Sequence, residues 1–115
     1  MSHKEPMLYR APENLGRPNE WDGDNFIRLG TLASFQAELA ADIEGLSLEN
    51  VPDAHMAAGE GNYNGLPILV TVHLDPESRE VMWFGLANCV DSSLLDRLKR
   101  RFDVKAFDYE SCEFI

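Results

Sequence analysis

The chain has 115 residues and a formal net charge of −10, from 20 acidic and 10 basic side chains. A chain of this length buries about 65% of the surface that its unfolded form exposes, so one core suffices without disulfides or metal ions. The negative charge repels phosphate backbones and anionic lipids, which argues against direct binding to nucleic acid or to a membrane. Neither an apolar span nor a secretory signal pattern occurs, so we expect a cytoplasmic protein.

The N-terminal segment differs in composition from the rest of the chain. Its first 24 residues hold three of the six prolines, Pro6, Pro12 and Pro18, and few apolar residues. Proline fixes the backbone and removes a hydrogen-bond donor. The sequence therefore predicts an extended arm over residues 1–24 and a single folded domain over residues 25–115, in which no linker or repeat marks a second domain.

Two segments carry apolar residues at helical spacing. The first follows Thr31, a good N-terminal cap, and repeats apolar residues every three or four positions until Gly45, which is predicted to end the helix. The second begins near residues 91–93. Its predicted buried face consists of Leu94, Leu95, Leu98 and Phe102.

Apolar, β-branched and aromatic runs predict strands on both sides of the turn sequence DPESR, and these runs, 66–74 and 80–87, form a predicted hairpin. Short strands are predicted near 25–29 and 55–58, and another around Phe107 and Tyr109. The stretch GEGNYNG, residues 59–65, is predicted to be a loop. This order of elements favours an α+β domain with an antiparallel or mixed sheet of four to five strands and two helices packed on one face.

Sequence signatures of catalysis and metal binding are missing. Cys89 and Cys112 have no C-x-x-C spacing, and His3, His55 and His73 do not form an H-E-x-x-H pattern. The segment WDGDNFIR lacks the oxygen ligands of a calcium loop, and no serine lies in G-x-S-x-G. We therefore predict that the protein is not an enzyme and needs neither a metal ion nor another cofactor.

The distribution of charge is the most informative feature. Residues 29–78 contain no lysine or arginine. Glu38 and Asp42 form a like-charged i, i+4 pair in the first predicted helix, and Asp42 and Glu44 lie in its final turn, where the helix dipole disfavours anions. These placements lower the stability of the predicted helix and bring no local gain, which indicates that the surface serves binding. The predicted partner-binding residues are Glu38, Asp42, Glu44, Glu49, Asp53 and Glu60.

In size, charge and lack of a catalytic motif, the chain resembles the small acidic immunity proteins that bacteria pair with secreted toxins, and other inhibitors that mimic nucleic acid. The resemblance rests on no aligned residue. It implies a basic partner protein such as a toxin, a nuclease, a deaminase or a similar effector, since an anionic surface attracts a basic cleft. Trp21, Phe35 and Tyr63 are the candidate aromatic anchors of such a contact.

Two other functions remain open from the sequence. An adaptor or structural subunit would bind through an apolar face that includes Trp83 and Phe84, or through the proline-containing arm. A small enzyme or ligand carrier would use His55, His73 and Cys89 around the predicted hairpin.

Overall fold

The computed structural model describes residues 7–10, 27–52, 54–87, 92–108 and 113–114. They form a single-domain α+β fold with one antiparallel sheet and two helices, which confirms the predicted fold class. The elements are β1 (Met7–Tyr9), α1 (Leu32–Leu39), β2 (Glu49–Asn50), β3 (Met56–Tyr63), β4 (Leu66–Leu74), β5 (Val81–Ala87), α2 (Ser92–Phe102), β6 (Lys105–Asp108) and β7 (Glu113–Phe114). No helix in these ranges is long and apolar enough to cross a membrane.

Within the described residues the sheet has seven strands in the order β2-β3-β4-β5-β1-β6-β7, so the prediction of four to five strands is wrong. The predicted hairpin is confirmed as β4 and β5. Two of the additional strands have only two residues and β1 has three, which is too short for an alternating pattern. Residues 7–9 lie within the segment predicted to be an arm, yet they form a strand in the middle of the sheet. Residues 1–6 and 11–26 of that segment are outside the described ranges.

The larger of two buried apolar clusters lies on one face of the sheet. Leu8, Val72, Phe84 and Ala106 are paired across neighbouring strands and are fully or almost fully buried on this face. The ring of Phe84 contacts Phe35 of α1 and Phe102 of α2, with centroid distances of 4.9 and 5.8 Å. The Phe35 and Phe102 rings are themselves 5.1 Å apart. Both helices therefore contribute to the same aromatic cluster over β5.

The first helix begins as predicted and ends earlier than predicted. Thr31 caps it by accepting a hydrogen bond from the backbone N–H of Ser34 at 3.3 Å. The helix ends at Leu39, six residues before Gly45. The chain then leaves the helix and runs beside β3, where Glu44 and Asn62 exchange two backbone hydrogen bonds of 2.7 and 2.8 Å. Asp42 and Glu44 consequently lie beyond Leu39, the last residue of the helix.

Most of the predicted GEGNYNG loop belongs to β3, which continues to Tyr63 before a turn at Asn64 and Gly65. Glycine is required here because another segment passes very close to the strand. A Cβ atom on Gly59 would lie 2.1 Å from the carbonyl oxygen of Ser47. A Cβ atom on Gly61 would lie 2.6 Å from Cγ2 of Ile43. The glycines allow residues 43–48 to pack against the strand.

The opposite side of the sheet, here called the outer face, differs between its two halves. Where β1 and β6 meet, Met7, Tyr9 and Phe107 are buried on this face. Over β3 and β4, alternation of the strands places Ala58 and Leu69 on the same face, and both are exposed. The outer face is thus accessible at the β3 and β4 half of the sheet.

Candidate partner-binding edge and histidine cleft

The predicted acidic residues divide into two groups, and the first faces the arginines of α2. The side chain of Asp42 is only 4% exposed. Its Oδ2 accepts a hydrogen bond from Nε of Arg101 at 2.6 Å, and its Oδ1 lies 3.8 Å from Nη1 of Arg97. This hydrogen bond raises the pKa of Arg101 above its ordinary value. Glu38 lines the same groove, which has a volume of about 460 Å³ and also includes Arg100. Arginines of α2 therefore balance the negative charges of Glu38 and Asp42, which have no basic residue near them in the sequence.

We expect Asp42→Asn to lower the free energy of unfolding by about 1–3 kcal/mol. The buried carboxylate is replaced by an uncharged amide, so its ion pair with Arg101 is lost. Urea unfolding followed by circular dichroism measures this loss. Glu38→Gln, on the exposed side of α1, is the matched control and should stay within about 0.5 kcal/mol of the wild type. In the Arg101→Gln background, Asp42→Asn should cost less than half as much. An equal cost in both backgrounds would contradict the ion pair.

The second group consists of Glu44, Glu49 and Glu60, which lie together at the β2 and β3 border of the sheet. Glu49 is paired with Ala58, and Glu44 is paired with Asn62. Directly paired residues present their side chains on the same face, and Glu60 shares that face with Ala58 and Asn62 through strand alternation. All three carboxylates are exposed. No ion pair within the described part of the chain involves them. We call these three residues the acidic edge; Asp53, the sixth predicted residue, lies outside the described ranges.

An apolar side chain adjoins the acidic edge. Leu69 is paired with Glu60 and is 41% exposed. The anchors proposed from the sequence are elsewhere: Phe35 is fully buried in the core, and Tyr63 is buried with its hydroxyl 2.7 Å from that of Ser93. Trp21 lies outside the described residues. The sequence does not single out Leu69, because LPILVTVHL, residues 66–74, is almost continuously apolar. Strict alternation along the strand nevertheless places Leu69 on the opposite face of the sheet from Ile68 and Val70.

A separate concave site, here called the histidine cleft, lies near the turn between β4 and β5. It has a volume of about 510 Å³. The rings of His73 and Trp83 are stacked across the two strands, with a centroid distance of 3.7 Å and an interplanar angle of 13°. Burial lowers the pKa of His73 below its ordinary value of 6.5, so this imidazole is neutral at pH 7. The residues that line the cleft are Arg28, His55, His73, Leu74, Asp75, Pro76, Glu77, Met82 and Trp83.

A β-bulge shapes the floor of the histidine cleft. His73 is paired with Trp83, but the next residue, Leu74, is paired with Val81, which leaves Met82 as an extra residue on β5. Bulges bend a strand and change the direction of its side chains. Met82 and Trp83, although consecutive, both line the cleft.

The carboxylate of Asp75 is fixed by four hydrogen bonds. Its Oδ1 accepts from the backbone N–H groups of Glu77 and Ser78 at 2.8 and 3.1 Å. Its Oδ2 accepts from Nε and Nη2 of Arg28 at 2.9 and 2.5 Å. The backbone hydrogen bonds, followed by that from Arg28, lower the pKa of Asp75. Asp75 is therefore ionised at neutral pH, and it holds the Arg28 guanidinium in place.

His55 and His73, which the sequence proposed together with Cys89, do meet in the histidine cleft, whereas Cys89 lies outside the described residues. No sequence pattern marks Arg28, Asp75 or Met82 as part of a site, because the ion pair and the bulge depend on pairing between distant segments. Within the described ranges, no group of three His, Cys, Asp or Glu side chains is placed to hold a metal ion. Comparison with known proteins finds no family model, no curated protein and no solved structure that matches this chain.

Proposed function

We propose that this protein is a non-catalytic inhibitor that binds and blocks a basic partner protein through the acidic edge. One observation carries the proposal: the fold brings Glu44, Glu49 and Glu60 onto one face beside the exposed Leu69. Clustered exposed carboxylates accelerate encounter with a cationic protein, and a neighbouring apolar side chain supplies contact area that slows dissociation. Glu38 and Asp42, which face the α2 arginines, are left out of this contact.

The partner class follows from the charge. A surface of separated carboxylates is complementary to a cleft of lysines and arginines, and such clefts are common in proteins that handle nucleic acids. A nuclease, a deaminase or a similar toxic effector therefore fits the acidic edge. The protein's own net charge of −10 disfavours nucleic acid itself as the partner.

The test begins with capture of the partner from host lysate on the tagged protein, washed at low and at high salt. Association rates are then measured for the wild type and for the double reversal Glu49→Lys and Glu60→Lys. We expect the reversal to reduce the association rate at low salt at least tenfold, and to flatten its dependence on salt. Charged side chains on an edge strand discourage pairing with strands of other molecules, and lysine does so as well as glutamate. The double reversal therefore changes the sign of the charge and keeps the edge protected.

The matched control is the double reversal Glu77→Lys and Asp96→Lys, which changes the net charge equally at exposed positions away from the acidic edge. We expect it to change the association rate less than threefold. Equal losses in both variants would show that net charge, not the acidic edge, controls binding. Unchanged binding in both would contradict the proposal.

A third variant, Leu69→Ser, tests the apolar contribution. Its effect should appear mainly in the dissociation rate, with little change in salt dependence, since a side-chain truncation in a contact acts after encounter. A complex that survives high salt, is insensitive to the charge reversals and is lost in Leu69→Ser would instead favour the adaptor function.

A further inference from the structure

The groove between α1 and α2 holds more positive than negative charge. Its lining residues are Glu38, Asp42, Arg97, Arg100 and Arg101, and we call it the arginine groove. Three guanidinium groups face two carboxylates there, although the whole chain carries a net charge of −10. Charges separated by more than about 8 Å are largely screened at physiological salt. The side chains that line the groove, rather than the net charge, therefore decide which ions it attracts.

Helical spacing brings the three arginines together. Arg97, Arg100 and Arg101 are at positions i, i+3 and i+4 of α2, so their side chains lie on one side of the helix. Like charges at these spacings repel each other and destabilise the helix. A cation in the last turn is favourable, but Lys99 already supplies one there. An anion bound among the arginines would relieve this repulsion.

The buried carboxylate of Asp42 orients part of the arginine groove. Its Oδ2 accepts a hydrogen bond from Nε of Arg101 at 2.6 Å, and the side chain is only 4% exposed. This contact uses one of the five N–H donors of the guanidinium. Arg101 therefore has one fixed point of attachment and further donors that are in place before a ligand arrives.

Arg100 is the member of the cluster with the fewest partners. It is exposed, and within the described part of the chain it makes no ion pair. Arg97 differs, because it also lines a neighbouring depression that contains Glu44. Its Nη1 lies 3.8 Å from Oδ1 of Asp42, which is too far for a hydrogen bond. Arg100 and Arg101 are thus the principal groups with donors for a ligand.

The chemistry of these two side chains suits an oxyanion. The planar fork of a guanidinium matches the oxygens of a phosphate or a carboxylate, and the charge strengthens each hydrogen bond. The groove has a volume of about 460 Å³, within the range of about 300–1,000 Å³ that is usual for small-molecule sites. We propose that the arginine groove binds a small organic oxyanion, whose phosphate or carboxylate group is held by Arg100 and Arg101. This binding does not depend on the proposed inhibition of a basic protein.

The test is a titration of the isotope-labelled full chain with glycerol phosphate, inorganic phosphate and succinate at constant ionic strength, followed by NMR of the arginine side chains. We expect saturable shifts of Arg100 and Arg101 with at least one probe. Two or three charge-assisted hydrogen bonds correspond to a dissociation constant of about 1 mM. Saturation by the phosphates assigns a phosphate group to the ligand, and saturation by succinate alone assigns a carboxylate. Absence of saturation with all three probes, or equal shifts with sodium chloride, would overturn the proposal.

Variants of opposite charge effect locate the site. Arg100→Gln should weaken binding of the saturating probe about fivefold or more, because it removes a paired, charge-assisted contact. Glu38→Gln removes a negative charge from the same groove and should tighten binding about twofold to threefold. The amide spectrum shows whether each variant is folded, and either variant keeps the test valid if the other is not.

Arg79→Gln is the matched control, because it removes the same charge at an exposed position outside the arginine groove. It should change the affinity less than twofold. Equal weakening by Arg100→Gln and Arg79→Gln would show a general effect of charge and contradict the assigned site. Unchanged affinity in folded Arg100→Gln and Glu38→Gln variants would contradict it as well.

Discussion

Phe84→Ala should lower the free energy of unfolding by about 3–5 kcal/mol, a large share of the stability of a typical domain. Phe84 is fully buried, and its ring contacts both Phe35 and Phe102. Truncation therefore opens a cavity where α1, α2 and the sheet meet, and the surrounding side chains cannot close it completely. Urea unfolding monitored by circular dichroism measures the effect.

Leu69→Ala is the control for this prediction, because it removes an exposed apolar side chain from the other face of the same sheet. It should cost about 1 kcal/mol or less. Similar costs for Phe84→Ala and Leu69→Ala would contradict the position of the core. The burial of Phe84 also bears on the adaptor function, since a side chain in the core is not available for a partner. Of the two aromatic residues proposed for that contact, only Trp83 reaches the outer face.

Gly59→Ala should cost about 3 kcal/mol, at the upper end of the usual range for overpacking. The added methyl group would lie 2.1 Å from the carbonyl oxygen of Ser47 and 2.8 Å from its carbonyl carbon. These are backbone atoms, so no change of side-chain rotamer relieves the contact, and residues 43–48 must move away from β3. Urea unfolding provides the free energy, and amide hydrogen exchange at Glu44 and Asn62 reports whether their pairing is lost.

Gly45→Ala separates this steric effect from the loss of glycine itself. Gly45 has a φ of +74°, and apart from its chain neighbours no atom of the described residues lies within 4 Å of the added Cβ position. Only the cost of a left-handed conformation should appear, about 1–2 kcal/mol, with the exchange rates at Asn62 unchanged. A Gly59→Ala variant as stable as the Gly45→Ala variant would show that the segment is not closely packed on β3.

The sequence predicted those parts of the fold whose signals are local and repeated. Thr31 and the hairpin of β4 and β5 were found because a cap and long β-branched runs each have a direct physical meaning within a few residues. The glycines of β3 led to the prediction of a loop, whereas Gly59 and Gly61 lie in a strand and leave room for residues 43–48 to pack against it. The first helix also ends earlier than predicted, at Leu39, although the apolar spacing continues as far as Leu46.

The candidate site was predicted less completely than the fold. Six carboxylates were chosen from their position along the chain, but pairing across strands separates the acidic edge from Glu38 and Asp42. Asp42 meets Arg101, 59 residues further along the chain, and no sequence pattern marks that encounter. The histidine cleft depends in the same way on Arg28, Asp75 and a bulge. The sequence therefore indicated His55 and His73 as candidates but not the residues that surround them.

The central position of β1 has a consequence for the order in which the protein folds. β1 precedes the other described strands along the chain, yet its partners β5 and β6 are distant in sequence, since Met7 pairs with Gly85 and with Phe107. Arg10, directly after β1, donates a hydrogen bond to the backbone carbonyl of Phe102, 92 residues away. Closure of such long loops precedes any gain from pairing, and domains with many distant contacts refold in milliseconds to seconds. We therefore expect the sheet to close only after synthesis of β6, with the pairing of β1 as a late step.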